Sequence, residues 1–101
     1  MGDIRIYLEA MGYFWSISPK NFLIMAGRFI KTGKYPDYSR YGTLLKKPPY
    51  PHVYKRRDMT RWGASTHGTY LYHVTDWDVE EYISAFKEIF KEFQNQKKGK
   101  R

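Results

Sequence analysis

The chain has 101 residues, no cysteine and a formal net charge of +8, from 18 Lys and Arg against 10 Asp and Glu. A single domain of ordinary size is implied, and the lack of cysteine excludes a disulfide framework, a thiolate zinc site and a thiol nucleophile, which suits a reducing, cytoplasmic setting. The aromatic share of 19% includes ten tyrosines, so many rings are expected at the surface or half-buried, where a phenol keeps its hydroxyl wet.

Met1 to Arg5 lacks the basic and apolar regions of a signal peptide, Ile6 stands where myristoylation would want Ser or Thr, and the longest apolar run, Phe22 to Gly27, is too short to span a membrane. No membrane partner is expected. Ile4, Ile6 and Leu8 alternate with Arg5, Tyr7 and Glu9, the period of a half-buried strand, and Tyr13 to Ile17 reads as a second strand after Gly12. The simplest reading is a hairpin. The alternative, one N-terminal helix through Leu8, Ala10 and Met11, is disfavoured by the β-branched alternation.

Ser18-Pro19 is a helix start, with a hydroxyl to cap free amides and a proline whose missing donor costs nothing in the first turn. A helix over 19–32 follows, ending at Gly33, with Phe22, Leu23, Ala26, Phe29 and Ile30 on one stripe. Gly27 in its interior costs about 1 kcal/mol relative to Ala unless another element packs closely there.

From Lys34 to Gly68 periodicity fails, and such a long irregular segment in a small domain is usually functional or mobile. A short helical turn is expected near Asp37 to Tyr41 and a short strand near Val53 to Lys55. Pro48-Pro49-Tyr50-Pro51 reads as a stiff arm holding a basic loop away from the core. Thr69 to Thr75 alternates as a strand. A second helix over 76–94 then carries Val79, Tyr82, Ile83, Phe86, Ile89, Phe90 and Phe93 on one face, with Thr75-Asp76-Trp77-Asp78 resembling a capping box. Residues 95–101 are expected to form a basic, disordered tail beyond the compact 1–94 domain.

These elements predict an α+β fold: a small antiparallel sheet, made of the N-terminal hairpin and the strand near 69–75, covered on one face by two amphipathic helices. The expected core is Ile6, Leu8, Phe14, Ile17, Phe22, Leu23, Ala26, Phe29, Ile30, Leu71, Val79, Ile83, Phe86 and Phe90.

Charge is distributed unevenly. Residues 46–62 carry six Lys and Arg against one Asp, residues 63–94 carry two against six Asp and Glu, and the tail adds four more cations. The basic stretch comprises Lys46, Lys47, Tyr54, Lys55, Arg56, Arg57, Arg61 and Trp62. Mobile Lys and forked Arg suit phosphates, and exposed rings suit stacking on single-stranded bases, so nucleic acid is the first partner expected. Lys97 and Lys98 in the tail add phosphate contacts by the same physics. The competing readings are an acidic protein surface, gripped as an adaptor or inhibitor would grip it, and a solvated loop with ordinary surface rings. No helix-turn-helix, ribonucleoprotein or zinc-finger signature is present, so the signal is compositional. A small basic chain of this kind fits the products of viruses and mobile genetic elements.

His52, His67 and His73, with Asp76 and Asp78, invite a metal reading. On one continuous strand, however, His67 and His73 would lie about 20 Å apart, too far to share an ion. No metal or other cofactor is expected, and at least one histidine should hydrogen-bond within the fold. Ser65, Thr66 and His67 are adjacent in a glycine-flanked loop, and adjacent residues rarely place a base on a neighbour's hydroxyl, so no catalytic residue is assigned and the protein is read as non-enzymatic. If the chain dimerises, the end of the second helix is the expected place.

Overall fold

The computed structural model describes residues 4–48, 65–66 and 69–98. Strands β1 (Arg5–Ala10) and β2 (Tyr13–Ile17) form the expected hairpin, antiparallel with Ile6 opposite Ile17 and Ala10 opposite Tyr13. Met11 and Gly12 make the two-residue turn with φ of 56° and 87°. Positive φ at both central residues matches the twist of the flanking strands, at no steric cost for Gly12 and some for Met11.

Helix α1 (Pro19–Thr32) starts and stops where the sequence signals it. The Ser18 hydroxyl accepts from the Asn21 N–H at 3.2 Å, and Gly33, left-handed at φ 73°, donates its N–H to the Phe29 carbonyl at 2.7 Å. Asp37 then caps the short helix α2 (Tyr38–Tyr41), the helical turn anticipated there. Its carboxylate accepts from the Ser39 N–H at 3.2 Å and from the Ser39 hydroxyl at 2.6 Å.

The chain leaves α2 directly into strand β3 (Gly42–Leu45), which pairs antiparallel with β2. This strand was not anticipated: four residues are too few for an alternation to register. Gly42 makes it possible, because a Cβ there would stand 2.8 Å from the Ser16 carbonyl oxygen. The strand expected near Val53 to Lys55 lies outside the described residues, as do Pro49, Tyr50 and Pro51.

Strand β4 (Ser65–Thr66) pairs antiparallel with β5 (Thr69–His73), and β5 pairs with the free edge of β1, giving the order β3-β2-β1-β5-β4. The fold class is α+β as expected, but the sheet is mixed, because β1 and β5 run parallel, with Ile6 beside Tyr70 and Leu8 beside Tyr72. Alternation fixes which face a residue takes and says nothing of strand direction. The hairpin occupies one edge of β1, so β5 reaches the other edge only after the long excursion through α1, α2 and β3, and it arrives parallel.

β5 ends at His73, short of the expected Thr75. Val74 donates its N–H to the Glu9 carbonyl at 2.9 Å, and Trp77 donates back to the Val74 carbonyl at 3.3 Å, closing a turn. Thr75 serves that turn: its hydroxyl accepts from the Met11 N–H at 2.9 Å, tying it to the hairpin tip. Helix α3 (Val79–Lys98) therefore begins three residues later than expected, and the capping box is Asp78 with Glu81. The Asp78 N–H donates to the Glu81 carboxylate at 2.7 Å, and the Glu81 N–H to the Asp78 carboxylate at 3.0 Å. The helix also runs on to Lys98, where an end at about Gln94 was expected.

Both helices cover one face of the sheet. Ile6, Leu8, Ala10, Ile17, Tyr70 and Tyr72 meet Phe22, Met25, Ala26 and Phe29 of α1 and Tyr82, Ala85 and Ile89 of α3 in one cluster. Leu71 is buried on the opposite face, outside that cluster. Two expectations need correction. Phe90 is 45% exposed, because Tyr82, Ala85 and Ile89 mark the line of α3 that faces the sheet and Phe90 lies about 100° beyond Ile89. Phe14, Leu23, Ile30, Val79, Ile83 and Phe86 are half-buried. The tyrosines divide: Tyr7, Tyr13, Tyr35, Tyr38 and Tyr41 are exposed or half-buried as expected, while Tyr70, Tyr72 and Tyr82 are buried outright.

Candidate functional site

Lys46 and Lys47 follow Leu45 at the end of edge strand β3, and both are exposed. Leu45 lies opposite Phe14, so the two lysines sit at the corner of the sheet where β2 begins. Tyr54, Lys55, Arg56, Arg57, Arg61 and Trp62 lie outside the described residues, as do His52 and His67. Lys97 and Lys98 stand in the last turn of α3 rather than in a disordered tail. Of the anticipated binding residues, the described chain thus brings Lys46 and Lys47 together and places Lys97 and Lys98 on another element.

The electrostatics turn on what the carboxylates do. Glu9 reaches His73 Nδ1 at 3.1 Å, the intramolecular hydrogen bond expected of one histidine. Asp37 caps α2, Asp78 and Glu81 cap α3, and Glu88 accepts from the Tyr72 hydroxyl at 2.6 Å. Each is occupied within the fold. The Glu9 and His73 contact is an ion pair only when the imidazole is protonated, and among the described residues no Lys or Arg side chain of 5–91 has an acid partner. Among the described residues, then, the cations are not held by acids of the fold.

A second gathering of cations was not anticipated. Arg28 and the end of α1, the Lys34 to Asp37 connection, and Arg40 and Tyr41 of α2 line a cleft of about 400 Å³ floored by Met25 and Phe29. Arg28, Lys34 and Arg40 are spaced six residues apart in sequence, so no cluster is visible along the chain. The available signal was a helix stop at Gly33 followed at once by Lys34-Tyr35-Pro36, which folds the chain back over its own helix end.

From that cleft a chain of rings runs into the core. Tyr35 lies 5.8 Å from Phe29, Phe29 4.3 Å from Tyr82, Tyr82 5.1 Å from Trp77 and Trp77 5.1 Å from Tyr72, between ring centroids. The Tyr38 and Tyr82 hydroxyls meet at 3.1 Å. Burial, foremost, pushes the Tyr72, Tyr82 and Tyr38 hydroxyls above their usual range; the Glu88 carboxylate adds to the rise at Tyr72 and the Tyr38 phenol to that at Tyr82.

Among the described residues no group of three His, Asp or Glu stands close enough to hold a metal ion, and no helix is long and apolar enough to cross a membrane. Ser65 and Thr66, weighed above as nucleophiles, form the edge strand β4. No protein-family model, curated protein or solved structure matches the chain.

Proposed function

We propose that this protein is a non-enzymatic nucleic-acid-binding module of the cytoplasm, its contacts made by Lys46, Lys47, Lys55, Arg56, Arg57 and Arg61, with Tyr54 and Trp62 beside them and Lys97 and Lys98 as an auxiliary patch. The observation that supports this reading is the division of labour among charges. Glu9, Asp37, Asp78, Glu81 and Glu88 are engaged in caps and internal hydrogen bonds, while among the described residues the Lys and Arg side chains of 5–91 have no acid partner. A net charge of +8 so arranged favours a polyanion.

The test is fluorescence anisotropy of labelled single-stranded and duplex oligonucleotides. If about six cations each meet a phosphate, raising salt from about 50 to about 200 mM lowers affinity roughly a few hundredfold for single strands and roughly a thousandfold for duplex. Changing Lys55, Arg56 and Arg57 together to Ala reduces the single-strand salt slope by about 2. No binding at low salt, or a triple variant with unchanged affinity, overturns the assignment; the first result redirects the search to an acidic protein partner.

A further inference from the structure

The cleft between α1 and α2 has a composition that the fold does not need. Three cations, Arg28, Lys34 and Arg40, line it. The single carboxylate on its wall, Asp37, is turned to Ser39, from which it accepts two hydrogen bonds. The negative end of α1 also abuts the cleft, and a helix end is equivalent to about half a charge. Even with Asp37 and that half charge counted in full, the cleft stays positive by about 1.5 charges.

Its backbone is held in place. The Thr32 hydroxyl donates to the Arg28 carbonyl at 2.8 Å and accepts from the Lys34 N–H at 3.2 Å, while Gly33 closes the helix on Phe29. On the opposite wall the Asn21 side-chain amide donates to the Tyr41 carbonyl at 3.0 Å, fastening α2 to the start of α1. Tyr35 is 69% exposed, with one part of its ring tilted against Phe29. A volume of about 400 Å³ falls within the ~300 to 1,000 Å³ of small-molecule clefts.

Two forked guanidiniums, an ammonium and an available ring around one concavity match a ligand that carries both a phosphate and a flat base. We propose that this cleft binds a nucleotide unit, its phosphate held by Arg28 and Arg40 with Lys34 at the rim, and its base laid on Tyr35. The unit is either a free mononucleotide or one residue of a single strand. The assignment does not depend on the basic loop.

The experiment uses the full chain. Adenosine 5′-monophosphate and inorganic phosphate are titrated by calorimetry and a labelled ten-residue oligothymidylate by anisotropy, against wild type, the double variant Arg28→Gln with Arg40→Gln, Tyr35→Ala, and Lys87→Gln on α3 as control. Melting curves check folding. Because Tyr35 packs on Phe29, Tyr35→Leu, which keeps apolar contact and removes the aromatic face, replaces Tyr35→Ala if the latter melts early. A free nucleotide as ligand predicts that the monophosphate binds at least roughly tenfold tighter than phosphate, and that the double variant and the Tyr35 variant each lose roughly tenfold. A strand as ligand predicts no monophosphate binding but the same losses for oligothymidylate, with Lys87→Gln unchanged. Phosphate binding as tightly as the monophosphate, a Tyr35 variant without effect, or indifference of every ligand to these variants overturns the proposal. Losses at the cleft alongside an unaffected Lys55, Arg56 and Arg57 triple variant would remove the loop assignment and leave the cleft standing; the reverse pattern would do the opposite.

Discussion

Two glycines in regular structure carry opposite constraints. Gly27 lies inside α1, and a Cβ added there would meet the Phe86 ring at 3.9 Å, an ordinary contact. No close packing requires glycine at this position, and only its helix penalty of about 1 kcal/mol remains. Gly27→Ala should raise unfolding free energy by about that amount. Gly42 has an extended backbone that any residue could adopt, but its Cβ would stand 2.8 Å from the Ser16 carbonyl oxygen. Backbone cannot step aside as a side-chain tip can, so Gly42→Ala should cost about 1 to 3 kcal/mol by parting β3 from β2. Urea midpoints of the two variants should move in opposite directions, and a destabilised Gly27→Ala would show that the α1 and α3 interface is tighter than its geometry indicates.

The elements that could be read from the sequence are those whose cause is local. Ser18-Pro19 and Gly33 bracket α1, and Ile4, Ile6 and Leu8 set the face of β1, because a cap or an alternation is complete within a few residues. β3, the parallel sense of β5 and the late start of α3 have causes far along the chain: the Thr75 hydroxyl is taken by Met11, 64 residues away. The three core tyrosines were not legible for the same reason. A phenol enters a core when another element supplies a hydroxyl partner, as Glu88 of α3 does for Tyr72 and Tyr38 of α2 for Tyr82. That partnership between elements carries a pH dependence. In the unfolded chain these hydroxyls titrate near the ordinary value of 10.0, and in the folded chain burial holds them above it. Their contribution is fully present below pH 10 and is lost above it, since the unfolded chain then sheds its protons first. Unfolding free energy from urea melts should hold steady up to about pH 10 and fall beyond it, by as much as about 1.4 kcal/mol per pH unit for each tyrosine. Tyr72→Phe should make that fall shallower; stability that stays flat well above pH 10 would mean the phenols reach solvent while the protein is folded.

For the whole molecule, the candidate site was half legible. Composition disclosed the basic stretch 46–62, because its cations are neighbours in sequence, but it could not disclose Arg28, Lys34 and Arg40, which only the turn after Gly33 brings to one cleft. Nor could it show that Glu9 and Glu88 would be engaged as hydrogen-bond acceptors by residues of other elements. With charge of +8 and described Lys and Arg unpaired, folding gathers like charges that the unfolded chain keeps apart. Salt should therefore act in opposite directions on stability and on binding. Screening, with a Debye length of about 10 Å at 0.1 M, relieves the repulsion and should raise the melting temperature by a few degrees between about 20 and about 200 mM sodium chloride, about 4 to 8 °C per kcal/mol for a domain of this size. The same salt should weaken any nucleic-acid complex. A melting temperature that falls or stays level would mean that the positive charge is compensated within the fold, which would withdraw the main support for a polyanionic partner. Phosphate at matched ionic strength adds a finer comparison: a rise beyond that in chloride, abolished by Arg28→Gln with Arg40→Gln, would separate occupancy of the cleft from general screening, because only a bound anion stabilises through specific side chains.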